Sequence, residues 1–365
     1  SRGLVGSEMC IRDSCYTPKF GINTPNTDNL AESGLRFTDA HASSSFDLPS
    51  RYALITGRYG YRLDMLKSSH GGFGTPLIDP FLTNLPMMMR RAGYITYLSG
   101  KWNLGLGWSL KGARLDSLNI SIPVTYGVNE FGFDHAFYTS GASLSDAPFF
   151  FVVDKHIYNL PESLSKHAYE DVRADTSWVS PEWVEQEVDV KITREACGFM
   201  KFHSETNPEK PFFLYFTPYA PRSPYHIPEF AKNKSKRGPH GDLIWLFDWM
   251  VGEVVTVLKE KDLFDNTLII ITSDNGAVKD ELRVNPTSAS STYRGHKGQI
   301  YEAGHRVPFI AVWPDRIKPG QRSDEVICHT DIMATLASIT RQKLTYFEAS
   351  DSYDISKVFF GEEYE

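Results

Sequence analysis

Several things are scarce in this 365-residue chain, and each scarcity removes a class of protein. Four cysteines, at positions 10, 15, 197 and 328, show no metal-ligand spacing and are too few to staple a small disulfide scaffold. No apolar run approaches the roughly 20 residues that a membrane-spanning helix needs. Positive charge is in deficit: 38 Lys and Arg face 45 Asp and Glu, a net charge of −7. There is thus no global field to gather nucleic acid or an anionic membrane, and any anion must be held by a local cluster of cations. Repeats, heptads and low-complexity tracts are also missing. Apolar and aromatic residues are plentiful, 41% and 13% of the chain. That content excludes disorder and can build the core of one large α/β domain, or of one plus part of another.

Residues 1–14 carry neither helical nor strand periodicity. They are read as non-native, adapter-derived or disordered sequence and set outside the fold. From Asn23 the pattern is orderly. Asn26 or Thr27 caps a short helix stopped by Gly34, and Leu35 to Thr38 form a strand. Apolar spacing predicts a helix over 81–92 with a buried strand over 94–99. Residues 105–185, rich in Gly, Ser, Pro and aromatics, read as long loops and short elements. Further helices are expected near 187–204, at 244–261 and from Thr330-Asp331, with buried strands at 211–216, 268–272 and 307–312. Such alternation predicts a three-layer α/β/α sandwich on a mostly parallel mixed sheet, with ligands off the carboxyl ends of its strands. Met87 to Met89 and Phe149 to Phe151 are assigned to core packing or a substrate rim. Asn119 and Asn233 fit the glycosylation tripeptide, which matters only in a eukaryotic secretory pathway.

The stretch 43–62 holds Asp47-Leu48-Pro49-Ser50-Arg51 followed by Thr56-Gly57-Arg58. It resembles the active-site signature of the type I sulfatases, a Cys or Ser-x-Pro-Ser-Arg core leading into a helix that ends in Thr-Gly-Arg. Four later segments match the same family in order: Gly100 to Gly105, Ala220 to Pro224, Ser273 to Gly276, and Arg294 to Gly298 with Glu302 to Pro308. The resemblance implies an alkaline phosphatase-superfamily fold, with a catalytic domain over 15–340 that lacks its first strand and a truncated C-terminal subdomain beginning at 341–365. It also implies sulfuric ester hydrolysis on a sulfated glycan or aryl sulfate, and export of the full-length protein. No nucleic-acid partner is expected.

Hydrolysis of a sulfate ester needs cations around a small anion, a divalent metal, an activated oxygen nucleophile and a proton donor for the leaving alcohol. By resemblance Arg51, Lys101 and Lys297 surround the sulfate, while Asp47, Asp274 and Asn275 offer oxygens to Ca2+ or Mg2+. Metal binding is expected to be weak because the family's first carboxylate ligands belong to the missing strand. The chemical positions depart from the pattern. Asp47 replaces the residue that becomes formylglycine, so no formylglycine is expected. Asn103 replaces a histidine base, and an amide is no base near neutral pH. Arg222 replaces a histidine acid, and a guanidinium that stays charged cannot donate its proton. The expectation is an impaired or inactive sulfatase. The alternatives are a sulfated-ligand-binding pseudoenzyme and a phosphate or phosphonate ester hydrolase in which Asp47 attacks directly. In that last case His226 is the candidate acid, against its plainer reading as a loop histidine.

Overall fold

The computed structural model describes residues 3–5, 16, 22–63, 71–109, 118–162, 164–169, 172–278 and 293–362. Its strands are β1 (Gly3–Val5), β2 (Leu35–His41), β3 (Ile95–Lys101), β4 (His135–Thr139), β5 (Val152–Val153), β6 (His156–Ile157), β7 (Leu164–Tyr169), β8 (Val172–Trp178), β9 (Phe212–Thr217), β10 (Leu268–Thr272), β11 (Phe309–Val312) and β12 (Gln321–Cys328). Its helices are α1 (Pro25–Glu32), α2 (Asp47–Thr56), α3 (Leu85–Arg91), α4 (Val188–Thr206), α5 (Gly238–Glu260), α6 (Glu302–His305), α7 (Asp331–Ile339) and α8 (Ser356–Phe359).

Ten strands form one sheet in the order β12-β2-β11-β10-β1-β9-β3-β4-β5-β6, and β7 pairs with β8 in a separate ribbon. The run from β10 through β1, β9 and β3 to β4 is parallel, as is the β12–β2 pair. β11 is antiparallel to both β10 and β2. The central strands read as continuous apolar runs because both faces are covered. Phe213, Tyr215 and Ile270 join a core with α2, α3 and α7 on one side. Phe212, Leu214, Phe216, Ile269 and Ile271 join a second core with α1, α4 and α5 on the other. This is the expected three-layer mixed α/β sandwich.

The differences from the sequence reading have local causes. Gly3–Val5, in the stretch set outside the fold, fills a slot in the sheet, paired in parallel with Phe213 to Tyr215 and with Leu268 to Ile270. Three residues are too few to display a period; the neighbours' unpaired backbone groups define the slot. β4, a five-residue strand of the main sheet, is one of the short elements in the stretch read as long loops and short elements. α1 begins at Pro25, ahead of the expected caps, because its free N–H groups are met from a distance: the Asp248 carboxylate accepts from Asn26 N at 3.2 Å and Thr27 N at 2.8 Å. α3 begins at Leu85, where the Asn84 side chain accepts from Met87 N at 3.1 Å. α5 starts six residues before the expected 244, with a proline in its first turn, where the missing N–H costs nothing.

Residues 342–362 fold back onto this body. Phe359 is fully buried, its ring centroid 5.8 Å from that of Phe37 on β2 and 6.2 Å from that of Phe309 on β11. Phe359→Ala is therefore expected to cost about 3–5 kcal/mol, as a buried phenylalanine cavity does. Urea unfolding measures it, and a loss under about 1 kcal/mol would show that α8 contributes little to the core.

Candidate active site

The parallel strands β3, β9 and β10 share their carboxyl ends, and the predicted residues follow from those ends. Lys101 is the last residue of β3, Arg222 lies five residues beyond β9, and Asp274 two beyond β10. Asp47 opens α2, in the loop-to-helix turn after β2. Lys297 precedes β11, which runs antiparallel and so begins at the same edge.

The local chain explains why α2 starts at Asp47. Phe46 is extended, and the Ser44 to Ser50 turn is closed by Ser50 Oγ, which donates to Ser44 O at 3.0 Å and accepts from Ser44 N at 3.1 Å. A carboxylate in the first turn suits the positive end of the helix dipole. Gly57 ends the helix with φ 63°, a left-handed cap that a side chain would resist. Every residue of the helix except Leu48 is buried, so its position is set by packing on all sides.

Arg51, placed beside the sulfate by resemblance, is 1% exposed. Its Nε donates to Asp274 Oδ2 at 2.8 Å and its Nη1 to the Lys101 carbonyl at 3.1 Å. Thr217 Oγ1 donates to the same carbonyl at 2.8 Å. Lys101 Nζ stands 3.9 Å from Asp274 Oδ2 and 3.9 Å from Asp47 Oδ2. Arg222 Nη1 donates to Asp47 Oδ2 at 2.6 Å, and Lys297 Nζ lies 3.9 Å from Asp47 Oδ1. Six of the predicted residues thus form one charged network. Burial alone would raise the Asp47 carboxyl, but Lys297, Lys101 and Arg222 together outweigh it and hold the group far below its ordinary 3.8.

Two more predicted residues sit beside the network. Asn103 is buried with φ 53°, a conformation asparagine tolerates, and its Oδ1 accepts no hydrogen bond from the described residues. Asn275 is likewise buried, and its Oδ1 is also without a partner among them. An orphaned amide oxygen beside the Asp274 carboxylate is a donor pair that a hard divalent cation accepts, so these two residues fit a metal. Asp47 fits less well as a ligand, since both its oxygens face cations. Gly276 completes the turn; a Cβ there would lie 1.9 Å from Ala303 O.

Other contributors were not singled out from the sequence, although His305 lies in the Glu302 to Pro308 segment. Asp189, in the first turn of α4, accepts from Tyr219 N at 2.7 Å and Ala220 N at 2.8 Å and so holds the loop that presents Arg222. The Tyr219 ring lies 5.6 Å from Lys101 Nζ. His41 and His305 face each other through Nδ1 at 2.9 Å, and Ala42 N donates to His305 O at 2.8 Å, joining the signature loop to the lysine-bearing segment. Each is a contact between distant segments, which no motif records. His226 N donates to Pro224 O at 2.9 Å within the Arg222 loop. Cys197 and Cys328 are free thiols, while Cys10 and Cys15 lie outside the described residues.

The sulfatase family model matches residues 16–342. The N-acetylgalactosamine-6-O-sulfatase of Bacteroides thetaiotaomicron is 32% identical over 406 residues, covering 99% of this chain and 76% of the relative. Human arylsulfatase A is 30% identical over 348 residues, covering 93% of this chain and 63% of the relative. A solved Bacteroides thetaiotaomicron structure, from a locus for the metabolism of multiple glycosaminoglycans, aligns with a TM-score of 0.87 and 29% identity over 100% of this chain and 82% of that one.

Two outcomes test this geometry. Arg51→Ala leaves Asp274 buried without its guanidinium and is expected to lower stability by about 3–5 kcal/mol; Arg51→Lys restores only part, because it keeps the charge and loses the Lys101 carbonyl. The second concerns His329, whose Nε2 lies 3.0 Å from Thr272 Oγ1 at the end of β10. Burial, aided by His41, pushes its pKa from 6.5 down to about 3. The unfolded chain therefore takes up a proton below pH 6.5 that the folded chain refuses. Stability present above that pH is lost toward pH 3 by up to about 1.4 kcal/mol per unit. Urea midpoints across this range are expected to show a shallower loss in His329→Gln, and equal slopes would contradict the assignment.

Proposed function

Because the chain belongs to the sulfatase family, a family of sulfuric ester hydrolases, we propose that its strand-end cluster holds the sulfate group of a sulfated sugar and does not release it by formylglycine chemistry. The observation that carries this reading is the Asp47 carboxylate at the nucleophile position, engaged by Arg222 at 2.6 Å and by Lys101 and Lys297 at 3.9 Å. A carboxylate so surrounded is a poor nucleophile, and it cannot form the aldehyde hydrate that expels sulfate in the family. Asn103 offers no base and Arg222 no acid at the positions where the family has histidines. The cations remain, so recognition of the anion is retained while the proton transfers are lost.

The ligand class follows from the relatives: a glycan carrying sulfate on an amino sugar is the first candidate, with aryl sulfates as simpler surrogates. Sulfatases generally use a divalent metal, and Asp274 and Asn275 are the described residues that would hold Ca2+ or Mg2+ here. When bound, such an ion adds positive charge that polarises the sulfate oxygens. This chain's own part is to orient the ester through Lys101, Lys297 and Arg222. Export of the full-length protein belongs to the same proposal.

The test uses the full-length protein in calcium buffer, alongside an Asp47→Cys, Asn103→His, Arg222→His variant co-expressed with the formylglycine-generating enzyme. Sulfate release from aryl sulfate and N-acetylgalactosamine 6-sulfate is expected only from the triple variant. The parent is expected to bind the sulfated sugar, with affinity falling about tenfold or more in Lys101→Ala or Lys297→Ala. Sulfate release by the parent would overturn the proposal. Phosphate release lost in Asp47→Ala would replace it with direct attack by that carboxylate.

A further inference from the structure

A pocket lined for a small oxyanion already contains one. The two oxygens of Asp47 are divided among three cations that arrive on three separate segments: Arg222 and Lys101 toward Oδ2, Lys297 toward Oδ1. We propose that Asp47 is the resident anion of this pocket, an internal ligand that fills the oxyanion position and must be displaced before an external sulfate is held there. The inference rests on the reading above that the cluster is the sulfate site, and it adds a regulation of that site.

The geometry separates a floor from a mouth. Arg51 and Lys101 are sealed, at 1% and 0% side-chain exposure, and Arg51 is committed to Asp274. Arg222, Lys297 and Asp47 keep 22%, 11% and 12%. An incoming anion therefore meets Arg222 and Lys297 first, and both face the Asp47 carboxylate. That carboxylate is poorly able to retreat with its backbone, because α2 is packed on nearly all sides and the preceding turn is closed by Ser50 and Ser44. Displacement has to occur by rotation of the side chain.

Charge gives the direction of the effect. The four cations of the network face two carboxylates, an excess of two positive charges among the described residues. An external sulfate gains that attraction only after Asp47 has been separated from Arg222, so its apparent affinity is lowered by the cost of breaking a charge-assisted hydrogen bond. Replacing the carboxylate by an uncharged group of similar size removes this competitor and raises the excess to three.

The experiment is titration calorimetry with sodium sulfate at constant ionic strength, in EDTA so that no metal contributes. It compares the parent with Asp47→Asn, Asp47→Ser, and Asp47→Asn combined with Lys297→Ala. Sulfate is expected to bind Asp47→Asn and Asp47→Ser at least about tenfold more tightly than the parent. The double variant is expected to lose that gain. Thermal unfolding with and without sulfate gives a second readout, with a larger rise in Tm for the single variants than for the parent. The smaller serine keeps the question answerable if Asp47→Asn fails to fold. Single variants that bind sulfate no better than the parent, or a gain that survives loss of Lys297, would overturn the inference. Inorganic sulfate has no sugar, so the two proposals fail separately. A sulfate gain without binding of the sulfated sugar sinks the glycan reading alone. Binding of the sulfated sugar without a sulfate gain sinks the resident-anion reading alone.

Discussion

The ion pair between Arg51 and Asp274 is the constraint on which the site depends. Both side chains are almost wholly buried, so each has given up its hydration, and an unpaired charge at either position would be costly. The guanidinium recovers that cost by working in two directions, toward the carboxylate after β10 and toward the carbonyl that ends β3. Thr217 at the end of β9 reaches the same carbonyl. The carboxyl ends of three strands, β3, β9 and β10, and the second turn of α2 are thereby held in one arrangement. Asp47 lies one helical turn before Arg51, so its place opposite Arg222 and Lys297 follows from that anchorage. Arg51 was read from its motif as a residue for the sulfate. In the fold it also organises the wall of the pocket, through Asp274 and the Lys101 carbonyl.

What was legible in the sequence reflects how local each determinant is. The buried strands at 212–217 and 268–272 stand out because runs such as Phe-Phe-Leu-Tyr-Phe are apolar on both faces and end at polar turns. The strand-end motifs were legible for the same reason: a short loop between a strand and the next element carries its chemistry in consecutive residues. Helix starts were less so, because their satisfaction is not always local. The start of α1 is set by Asp248, more than 200 residues away. The backbone of the Arg222 loop is held by Asp189 from another helix. The slot of β1 is defined by strands on either side, and three residues cannot advertise membership in a sheet. The motifs named the charged residues, yet which oxygen meets which cation is a tertiary fact.

The polar groups without hydrogen bonds show where the pocket is open to further partners. Asn103 and Asn275 sit at strand ends with buried amide oxygens that accept no hydrogen bond from the described residues. Asn275 stands next to a carboxylate and suits a cation. Asn103 lies two residues after Lys101, amid positive charge, and its amide can donate to an anion as readily as it can accept. A neutral residue there avoids adding charge where four cations already converge.

The three departures from the family pattern then have one electrostatic account. A carboxylate at 47 introduced alone would leave a negative charge in a nucleophile pocket lined by lysines, repelling the sulfate those lysines attract. A guanidinium at 222 introduced alone would add a charge near Lys101 and Lys297 with nothing to balance it. Together they neutralise each other through a 2.6 Å hydrogen bond, and the net charge of the cluster is what it would be with neutral residues at both positions. The pair thus leaves the charge of the cluster unchanged, with a carboxylate and a guanidinium at the positions that resemble the family's nucleophile and histidine acid. Either substitution by itself would change the charge of the cluster by one unit, and only the two together leave it as it was. On the proposed reading, this is the expected result when the requirement that persists is an anion pocket of fixed charge and the requirement for turnover has been relaxed.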